Sequence, residues 1–322
     1  MAVYTKIYKE DVLAIAKKYS LGNIISFSGI KQGIENTNYL LKTKKQKFVL
    51  TLFEKRVIKK DIPFFMKLMD FLNKSKVICP RPIKYQGYKY LTFINKKPAC
   101  IVSFLKGKDK KILNKNDCFI VGKNIAKIHK NTSKAKLYRK NLMGVNNLGS
   151  LIKNINFKLI NFEKNLKNFI NANYSQIKKN WPQKLPSGII HGDLFIDNIF
   201  FNKKKFAGFI DFYFSANDFF MYEIAICVNA LCFDKKNKKF ILNKRKVNNF
   251  INGYETIKKI SDKEKNSLNI LCRGAALRYL LTRTYDFINT PKTALIKKKD
   301  PKEYYQKLKI HNKLNSFRDY IN

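Results

Sequence analysis

The stretch of sequence that decides the fold runs Ile189-Ile-His-Gly-Asp-Leu-Phe-Ile-Asp-Asn-Ile-Phe-Phe201. Its leading apolar residues predict a short strand that delivers the His-Gly-Asp string into a loop, with Asn198 five residues after Asp193. A second apolar run, Phe206-Ala-Gly-Phe-Ile-Asp-Phe212, predicts a hairpin that presents Asp211. Two carboxylates and an amide therefore interrupt strands that are otherwise apolar.

These interruptions supply the groups that phosphoryl transfer needs. One carboxylate accepts the proton of an attacking hydroxyl, while an amide oxygen and a second carboxylate hold magnesium against a triphosphate. Each residue also has a structural alternative: Asp193 can cap its own turn, and Asn198 and Asp211 can be hydrogen-bonded strand-end residues. We favour the metal site because it explains why polar residues interrupt apolar runs. We interpret His191 as a buried imidazole that bonds the loop backbone, and Asp197 as a turn residue.

The first hundred residues have the pattern of a small α+β unit. Amphipathic spacing predicts two helices, and short β-rich runs separated by turns predict an antiparallel sheet with a helix packed on it. The predicted helices are Asp11–Tyr19 and Ile62–Asn73, and the predicted strands are Ile24–Phe27, Asn38–Lys42, Lys47–Phe53, Tyr88–Ile94 and Ala99–Leu105.

The rest of the chain is mainly helical outside the β-rich island at residues 189–214. A small β-rich lobe followed by a larger helical lobe is a two-lobe plan. We predict an N-terminal lobe over residues 1–103, a C-terminal lobe over residues 104–322 and a hinge at about residues 101–106. Helical periodicity predicts helices at Asp117–His129, Leu151–Ile177, Phe219–Leu231, Val247–Tyr254 and Glu264–Phe287.

The chain is strongly basic, with 66 Lys and Arg residues against 22 Asp and Glu and a net charge of +44 at pH 7. Such a charge often indicates binding to nucleic acid or to an anionic membrane. Here the lysines are scattered through separate polar stretches, such as Lys203-Lys-Lys205 and Lys297-Lys-Lys299, and no single arm concentrates them. A drift in surface composition explains this distribution, so we predict no dedicated nucleic-acid partner. A hydrophobic content of 45% excludes a disordered basic tail.

Cysteine usage and the N-terminal sequence indicate a soluble protein. The six cysteines form no Cys-x-x-Cys pair, and several lie in apolar runs, so they predict reduced core residues rather than disulfides or a zinc site. Met1-Ala-Val-Tyr-Thr has no apolar signal core, and no apolar run approaches membrane-spanning length. We therefore expect a cytoplasmic location and no membrane partner.

Several strings of residues make the sequence similar to a known family. The His-Gly-Asp-x4-Asn string resembles the aminoglycoside phosphotransferase and choline kinase superfamily, and further strings resemble the bacterial homoserine kinase family within it. The resemblance implies a two-lobe protein-kinase-like fold of class α+β, with a small antiparallel sheet and a helix in the N-lobe and a larger, mainly helical C-lobe. In order along the chain, the further strings are Met1-Ala-Val-Tyr-Thr, Gly33-Ile-Glu-Asn-Thr-Asn-Tyr-Leu-Leu, Leu50-Thr-Leu-Phe-Glu-Lys-Arg-Val, Asp61-Ile-Pro-Phe-Phe, Cys79-Pro-Arg-Pro, Val102-Ser-Phe-Leu-Lys-Gly, Ile210-Asp-Phe-Tyr-Phe and Arg273-Gly-Ala-Ala-Leu-Arg-Tyr-Leu-Leu-Thr-Arg-Thr-Tyr-Asp.

The resemblance implies roles for the loop residues. Asp193, which shares the catalytic string with His191, matches the catalytic base, and Asn198 and Asp211 match the magnesium ligands. ATP and Mg²⁺ are therefore the expected cofactors. The family more often has Ala between the His and the Asp, where this chain has Gly192, and we expect either small residue to fit.

The resemblance also implies where the nucleotide binds. It makes Ile101–Leu105 the hinge that meets adenine through backbone groups, and it places the phosphate-covering loop at residues 28–38. That loop lacks Gly-x-Gly-x-x-Gly, so the segment on its own fits an ordinary hairpin turn as well. The nucleotide-binding residues predicted in these two segments are Gly29, Gly33, Ser103, Phe104 and Leu105.

A kinase-like strand normally supplies a lysine to the nucleotide phosphates, and this chain lacks it. By register the position is near Thr51 in the strand Lys47–Phe53, and the helix that follows has only Asp70 as a nearby acid. We therefore predict that Lys55 or Arg56 neutralises the phosphates, with magnesium contributing most of the charge. The alternative is that both are solvated surface charges.

An amino-acid substrate needs a cation for its carboxylate and an acid or carbonyl for its ammonium. The long C-terminal helix embeds Arg278 and Arg283 among apolar residues, where an arginine is costly unless it is paired or binds an anion. The alternative is that Arg278 bridges to an acid and holds this helix to the catalytic hairpin. The candidate substrate residues are Arg278 and Arg283 for the carboxylate, Asp218, Asn217 and Glu223 for the ammonium, and Asn36 if its loop closes.

These residues together predict an ATP- and magnesium-dependent small-molecule kinase. The resemblance implies phosphorylation of the side-chain hydroxyl of L-homoserine to O-phospho-L-homoserine, within threonine biosynthesis. One rival is a same-fold kinase that acts on choline, ethanolamine or an aminoglycoside, none of which has a carboxylate. A second rival is a basic nucleic-acid-binding pseudokinase, which the joint presence of Asp193, Asn198 and Asp211 disfavours. The sequence leaves the oligomeric state open.

Overall fold

The computed structural model describes residues 5–30, 36–54, 57–160, 162–290 and 298–321. The chain divides into two units, the first formed by Met1–Lys108 with Phe200–Tyr213 and the second by Asp109–Ile199 with Phe214–Asn322. The first unit therefore includes a segment from much later in the chain. The lobe boundaries expected from the sequence, residues 1–103 and 104–322, stay a prediction.

The first unit is built on a five-stranded antiparallel sheet. Its strands, in the order in which they pair, are β1 (Ile24–Gly29), β2 (Thr37–Thr43), β3 (Lys47–Leu52), β5 (Lys97–Ser103) and β4 (Thr92–Ile94). The other elements are helices α1 (Lys9–Lys18) and α2 (Ile62–Lys74) and the hairpin of β7 (Ile199–Asn202) and β8 (Lys205–Phe209).

The core of this unit follows from the alternation of side chains along a strand. On β2, Thr37, Tyr39 and Leu41 are buried and the intervening residues are not. Tyr39 and Leu41 pack in one cluster with Val12 and Ile15 of α1. Burial of each such aliphatic side chain contributes about 1.5–3 kcal/mol. The small antiparallel sheet with a packed helix, expected from the sequence, is confirmed.

The second unit is mainly helical, as predicted. Two short antiparallel strand pairs, β6 with β9 and β10 with β11, accompany the helices. Its elements are α3 (Lys115–Thr132), α4 (Leu148–Lys153), α5 (Leu166–Lys179), β6 (Ser187–Ile190), β9 (Ala216–Phe219), α6 (Phe220–Leu231), β10 (Phe233–Lys236), β11 (Lys239–Leu242), α7 (Lys244–Glu255), α8 (Asp262–Asn289), α9 (Lys302–His311) and α10 (Arg318–Ile321).

Helices α3 and α7 approach each other at their backbones, and two glycines allow this. A Cβ on Gly122 of α3 would overlap the carbonyl of Phe250, and a Cβ on Gly253 of α7 would overlap the carbonyl of Phe119. Helix α6 packs on α8, and α8 packs on α9. The long helix α8 therefore runs through the core of this unit.

The structure differs from the sequence predictions in several helical and strand segments. The stretch Leu151–Ile177, predicted as one helix, is broken because α4 ends at Lys153 and α5 begins at Leu166. Asn156 accepts a hydrogen bond from the Lys158 amide between them, and such side-chain bonds compete with the helix. The β10–β11 hairpin and helix α9 were not predicted, because their many lysines weaken the apolar periodicity.

The cysteines are the buried, reduced core residues that the sequence predicts. All six cysteines are buried free thiols, and burial raises the pKa of Cys79 to about 12. Within the described ranges, no helix has the length and apolar composition needed to cross a membrane.

Candidate active site

The loop that follows β6 carries the His-Gly-Asp string. Gly192 in this loop has a φ of +79°, a conformation that residues with a Cβ rarely adopt. A Cβ at this position would also lie 2.8 Å from the carbonyl oxygen of Phe214. The expectation that either small residue fits at position 192 is therefore wrong for this chain, since alanine would be strained here.

A buried carboxylate from α6 holds the backbone of this loop. Glu223 is fully buried and accepts hydrogen bonds from the amides of His191 and Gly192, the second at 3.2 Å. The Nε2 of His129 lies 4.0 Å from its Oε2, and the Nδ1 of His129 is 2.8 Å from the Tyr254 hydroxyl. Residues of α3, α6 and α7 are thus linked to the loop.

These neighbours determine the charge of Glu223. Burial acts to raise its pKa, but the nearby imidazoles of His129 and His191 and the hydrogen bond from the His191 amide outweigh burial and place the pKa below its ordinary value. Glu223 is therefore an ionised acceptor at neutral pH. The predicted role in binding a substrate ammonium does not fit this geometry, because Glu223 is fully buried and its carboxylate is occupied with the backbone of the loop.

Asp193 lies half-buried in the same loop. Its Oδ1 accepts a hydrogen bond from the Tyr279 hydroxyl at 3.2 Å, and its amide donates to Nδ1 of the fully buried His191 at 3.4 Å. Burial raises the pKa of Asp193, against the lowering effects of Arg278, His191 and Lys299. A carboxylate with a raised pKa is a better proton acceptor, which suits Asp193 to act as a base. His191 accepts the hydrogen bond from the Asp193 amide and so holds the loop backbone.

The two predicted magnesium ligands belong to different units of the chain. The Nδ2 of Asn198 donates to the carbonyl of Asp193 at 2.9 Å, which leaves Oδ1 as the side-chain atom able to coordinate a cation. Asp211 is exposed, follows β8 and has a φ of +63°, a strained conformation for a residue other than glycine. An amide oxygen and a carboxylate are the hard donors that Mg²⁺ prefers, so the residue types fit this ion.

Helix α8 buries an arginine in the same unit as Asp193. Arg278 is 3% exposed, and its Nε and Nη1 have no hydrogen-bond partner in the part of the chain that the structure describes. Its guanidinium carbon lies 4.8 Å from the centre of the Tyr279 ring. Burial acts to lower the pKa of Arg278, but Tyr279, Tyr222 and Asp193 raise it above its ordinary value. A buried cation with unpartnered nitrogens is the arrangement expected of an anion site.

Arg283, the second arginine predicted to bind substrate, is engaged elsewhere. Its Nη1 donates to Glu303 at 2.6 Å and to the carbonyl of Asp300 at 3.3 Å. Its guanidinium carbon lies 4.4 Å from the centre of the Tyr304 ring, and Lys307 also pairs with Glu303. This cluster ties α8 to α9, so a substrate role does not fit Arg283.

Asn217 and Asp218 lie on β9 at the lining of a cleft of about 690 Å³. The Oδ1 of Asn217 accepts from the amide of Arg139 at 2.8 Å, which is a structural bond. The Oδ2 of Asp218 accepts from Asn141 Nδ2 at 2.6 Å, and its Oδ1 accepts from the Phe219 amide at 2.7 Å. Burial raises the pKa of Asp218, and Arg278 opposes that shift. Of the two residues, only Asp218 has a carboxyl group, the group type that pairs with an ammonium.

The predicted adenine-binding segment lies in the first unit, and part of its backbone is already bonded. The amide of Ser103 donates to the carbonyl of Arg81 at 2.8 Å, and the amide of Phe104 donates to the carbonyl of Lys47 at 3.0 Å. These two amides are therefore not the groups that a purine would bond. Leu105 is half-buried, and Gly29 is the exposed last residue of β1.

Asn36 and Thr51 both form hydrogen bonds within the first unit. The Oδ1 of Asn36 accepts from the Glu54 amide at 3.4 Å. Thr51 donates from Oγ1 to Asn38 Oδ1 at 2.7 Å, so a short neutral side chain occupies the position where the lysine was expected. Three further predicted nucleotide residues, Gly33, Lys55 and Arg56, lie outside the described residues.

Two residues of the site were not predicted from the sequence. Tyr279 bonds Asp193 from 86 positions away, and the neighbour of Glu223 on α3 is His129. A signal existed for Tyr279, because an aromatic residue with a polar tip stands next to a buried arginine in an apolar run. Nothing in the local pattern indicates the contact between His129 and Glu223.

Comparison with known proteins identifies the family of this chain and proteins that share its fold. The model of the phosphotransferase enzyme family matches residues 26–238. A solved amicoumacin kinase, in complex with AMP-PNP and Ca²⁺, superposes with a TM-score of 0.71 over 97% of each chain at 14% identity. A choline kinase from Cryptosporidium parvum superposes with a TM-score of 0.67 over 95% of each chain at 14% identity. The chain therefore belongs to the phosphotransferase enzyme family. The predicted protein-kinase-like fold is confirmed.

Curated relatives narrow this class. A homoserine kinase of Nitrobacter hamburgensis is 39% identical over 320 residues, which cover 99% of this chain and 97% of the relative. A homoserine kinase of Paramagnetospirillum magneticum is 40% identical over 317 residues, which cover 97% of this chain and 96% of the relative. The chain belongs to the homoserine kinase family of phosphotransferases.

Proposed function

We propose that this chain transfers the γ-phosphoryl group of ATP to the side-chain hydroxyl of L-homoserine, giving O-phospho-L-homoserine and ADP. Membership of the homoserine kinase family supports this reaction. The observation that carries the choice of an amino acid is the buried Arg278, whose Nε and Nη1 lack a partner among the described residues. A planar guanidinium matches a carboxylate, which choline, ethanolamine and aminoglycosides lack.

Asp193 is the base in this reaction. The homoserine oxygen forms a bond to the γ-phosphorus as the bond from that phosphorus to the β,γ-bridging oxygen breaks. The hydroxyl proton passes to the carboxylate of Asp193, and ADP leaves. Burial raises the pKa of this carboxyl, which suits it to accept the proton.

Asn198 and Asp211 would hold Mg²⁺ through an amide oxygen and a carboxylate. When bound, the ion supplies positive charge against the phosphate oxygens. Because Asn198 Nδ2 donates to the carbonyl of Asp193, one side chain links the metal ligand to the base. The nucleotide itself is assigned to the hinge segment Ile101–Leu105, with Lys55 or Arg56 on its phosphates.

The polar groups of homoserine are assigned to two residues of the second unit. The carboxylate binds Arg278, and the ammonium binds Asp218. The charge of Arg278 acts to lower the pKa of Asp218, so the two side chains are near each other. The homoserine zwitterion would therefore bridge them, with its carboxylate on Arg278 and its ammonium on Asp218. We place the reaction in threonine biosynthesis in the cytoplasm, with no dedicated nucleic-acid partner.

Arg278→Lys tests the carboxylate assignment, because it keeps the charge and removes the planar fork. We expect the KM for homoserine to rise about 10- to 100-fold with the KM for ATP unchanged, since a charge-assisted hydrogen bond contributes about 1.5–3 kcal/mol. Steady-state kinetics with each substrate varied in turn measure both constants.

The matched control for this variant is Arg273→Lys. Arg273 lies on the same helix and donates from Nη2 to Gln176, so its replacement leaves the KM for homoserine unchanged. A homoserine KM that is unaltered in Arg278→Lys contradicts the assignment and makes Arg278 a structural residue.

A panel of acceptors tests the reaction as a whole. We expect ATP turnover with homoserine to exceed turnover with serine and threonine, and choline and kanamycin to give none above background. Coupled measurement of ADP release with each acceptor gives kcat/KM. Preferred turnover of choline or kanamycin would establish the same-fold rival. RNA binding that weakens steeply with salt, without ATP turnover, would establish the nucleic-acid rival.

A further inference from the structure

The hydroxyl of Tyr279 lies between two groups of the catalytic loop. It is 3.2 Å from Oδ1 of Asp193 and 3.4 Å from the carbonyl oxygen of Gly192. A hydroxyl has one hydrogen and donates to one acceptor at a time, and the bond to an ionised carboxylate is the stronger. Tyr279 thus reaches the carboxylate from α8, an element that is separate from the loop.

The ring of Tyr279 is fixed by packing on several sides. Phe195 packs edge-to-face against it, with ring centres 4.8 Å apart and planes at 87°. Tyr304 of α9 lies 5.1 Å away, and the guanidinium carbon of Arg278 lies 4.8 Å from the ring centre. Only 5% of Tyr279 is exposed. These contacts hold the hydroxyl at one place relative to the loop.

We propose that Tyr279 is a positioning residue for phosphoryl transfer, and that its hydroxyl fixes Oδ1 of Asp193 so that Oδ2 is presented to the substrate hydroxyl. This inference rests on the proposed role of Asp193 as the base. The χ2 torsion of an aspartate is broad and roughly two-fold, so an unrestrained carboxylate samples several orientations. Proton transfer needs one of them, and a group held in that orientation reacts faster.

The neighbouring position on α8 extends this inference to the substrate. Arg278 contacts the ring of Tyr279 through its guanidinium, and it is the residue assigned to the homoserine carboxylate. Two consecutive residues of one buried helix therefore serve the two ends of the substrate. Arg278 binds the carboxylate, and Tyr279 orients the base that acts on the hydroxyl.

Tyr279→Phe tests the proposal, because it removes the hydroxyl and keeps the ring. We expect kcat with homoserine to fall about tenfold, the effect of one lost hydrogen bond, while both KM values stay within about twofold. The matched control is Tyr304→Phe, since the Tyr304 hydroxyl is buried and has no hydrogen-bond partner among the described residues. This control keeps the wild-type kcat, and thermal unfolding of both variants shows that they are folded.

A double-mutant cycle separates positioning from a general structural effect. In the Asp193→Asn background, Tyr279→Phe leaves the residual turnover unchanged, because the hydroxyl acts through the carboxylate. A Tyr279→Phe kcat equal to that of Tyr304→Phe, or an equal loss in both backgrounds, overturns the proposal. Wild-type protein that does not phosphorylate homoserine overturns the proposed function. Active wild-type protein with an unchanged Tyr279→Phe variant overturns the positioning role alone.

Discussion

Asp193→Asn is expected to lower kcat for homoserine phosphorylation about 10³-fold, within the range of about 10²–10⁴ that a general base contributes. Asparagine has nearly the same shape, and its side-chain oxygen can still accept the hydrogen bond from Tyr279. The substitution therefore removes the ability to accept a proton and leaves the packing of the loop in place. Steady-state kinetics with saturating ATP and homoserine measure the loss.

The stability of this variant identifies the cause of the loss. Burial raises the pKa of Asp193, so at neutral pH the ionised form is disfavoured in the folded chain relative to the unfolded one. A neutral asparagine removes that penalty, and we expect an unfolding midpoint at or above that of the wild type. A midpoint well below the wild type would assign the loss of activity to misfolding.

Asp197→Asn is the matched control. Asp197 lies in the same loop, its side chain is 56% exposed, and its partner is Lys299 at 3.6 Å. A solvated carboxylate of this kind contributes little to stability, so we expect kcat within twofold of the wild type. An Asp193→Asn variant that keeps more than a tenth of the wild-type kcat contradicts the assignment of the base.

The site residues that could be predicted from the sequence are those that lie close together along the chain. The loop residues His191, Asp193 and Asn198 lie within one short stretch, and the apolar residues around them predict the strands that carry it. The sequence does not predict that position 192 requires glycine, because it does not show that the Phe214 carbonyl lies against this residue. A turn that depends on a distant carbonyl cannot be predicted from local spacing.

The part that could not be predicted depends on contacts between distant helices. Glu223 in an apolar helix fits an ammonium ligand as well as it fits a backbone acceptor, until its partners His191 and Gly192 are known. Arg283 was predicted for the substrate, like Arg278, since both lie in one apolar helix. Only the placement of Glu303 on α9 shows that Arg283 is already paired. Periodicity predicts that a residue is buried, but it does not predict its partner.

The C-terminal residues show the same limit. His311 lies in a stretch that is polar in sequence, yet it is fully buried and contacts the Tyr320 hydroxyl at 3.0 Å and Asn229 Oδ1 at 3.1 Å. Burial lowers its pKa to about 3, so it is neutral. Lys307 is also buried, with bonds to Glu303 and to the carbonyl of Asn229. Polar residues that satisfy one another give no apolar pattern, so a buried tail of this kind has no sequence signal.

Glu223→Gln is expected to lower the free energy of unfolding by about 3 kcal/mol, since changing one partner of a buried charged contact costs about 3–5 kcal/mol. Glutamine turns an amide nitrogen toward at least one of the two backbone N–H groups that now donate to the carboxylate. It also removes the negative charge beside His129. Urea denaturation at pH 7, analysed by linear extrapolation, measures the change.

The pH dependence of this difference follows from the direction of the pKa shift. The folded-state pKa of Glu223 lies below its ordinary value of 4.5. Its stabilisation is therefore fully present above about pH 4.5 and is lost as the pH falls through the lower, folded-state pKa. The free energies of unfolding of wild type and Glu223→Gln thus converge on acidification.

Glu255→Gln is the control for this variant. Glu255 of α7 lies 3.7 Å from Lys265 and its side chain is 24% exposed, so its replacement changes the free energy of unfolding by less than about 1 kcal/mol.

Substrate kinetics decide between the two roles of Glu223. If Glu223 bound the substrate ammonium, Glu223→Gln would keep its stability and raise the KM for homoserine. A carboxylate that holds the amides of His191 and Gly192 predicts the reverse: lost stability, and at temperatures where the variant is folded, a fall in kcat larger than any rise in KM.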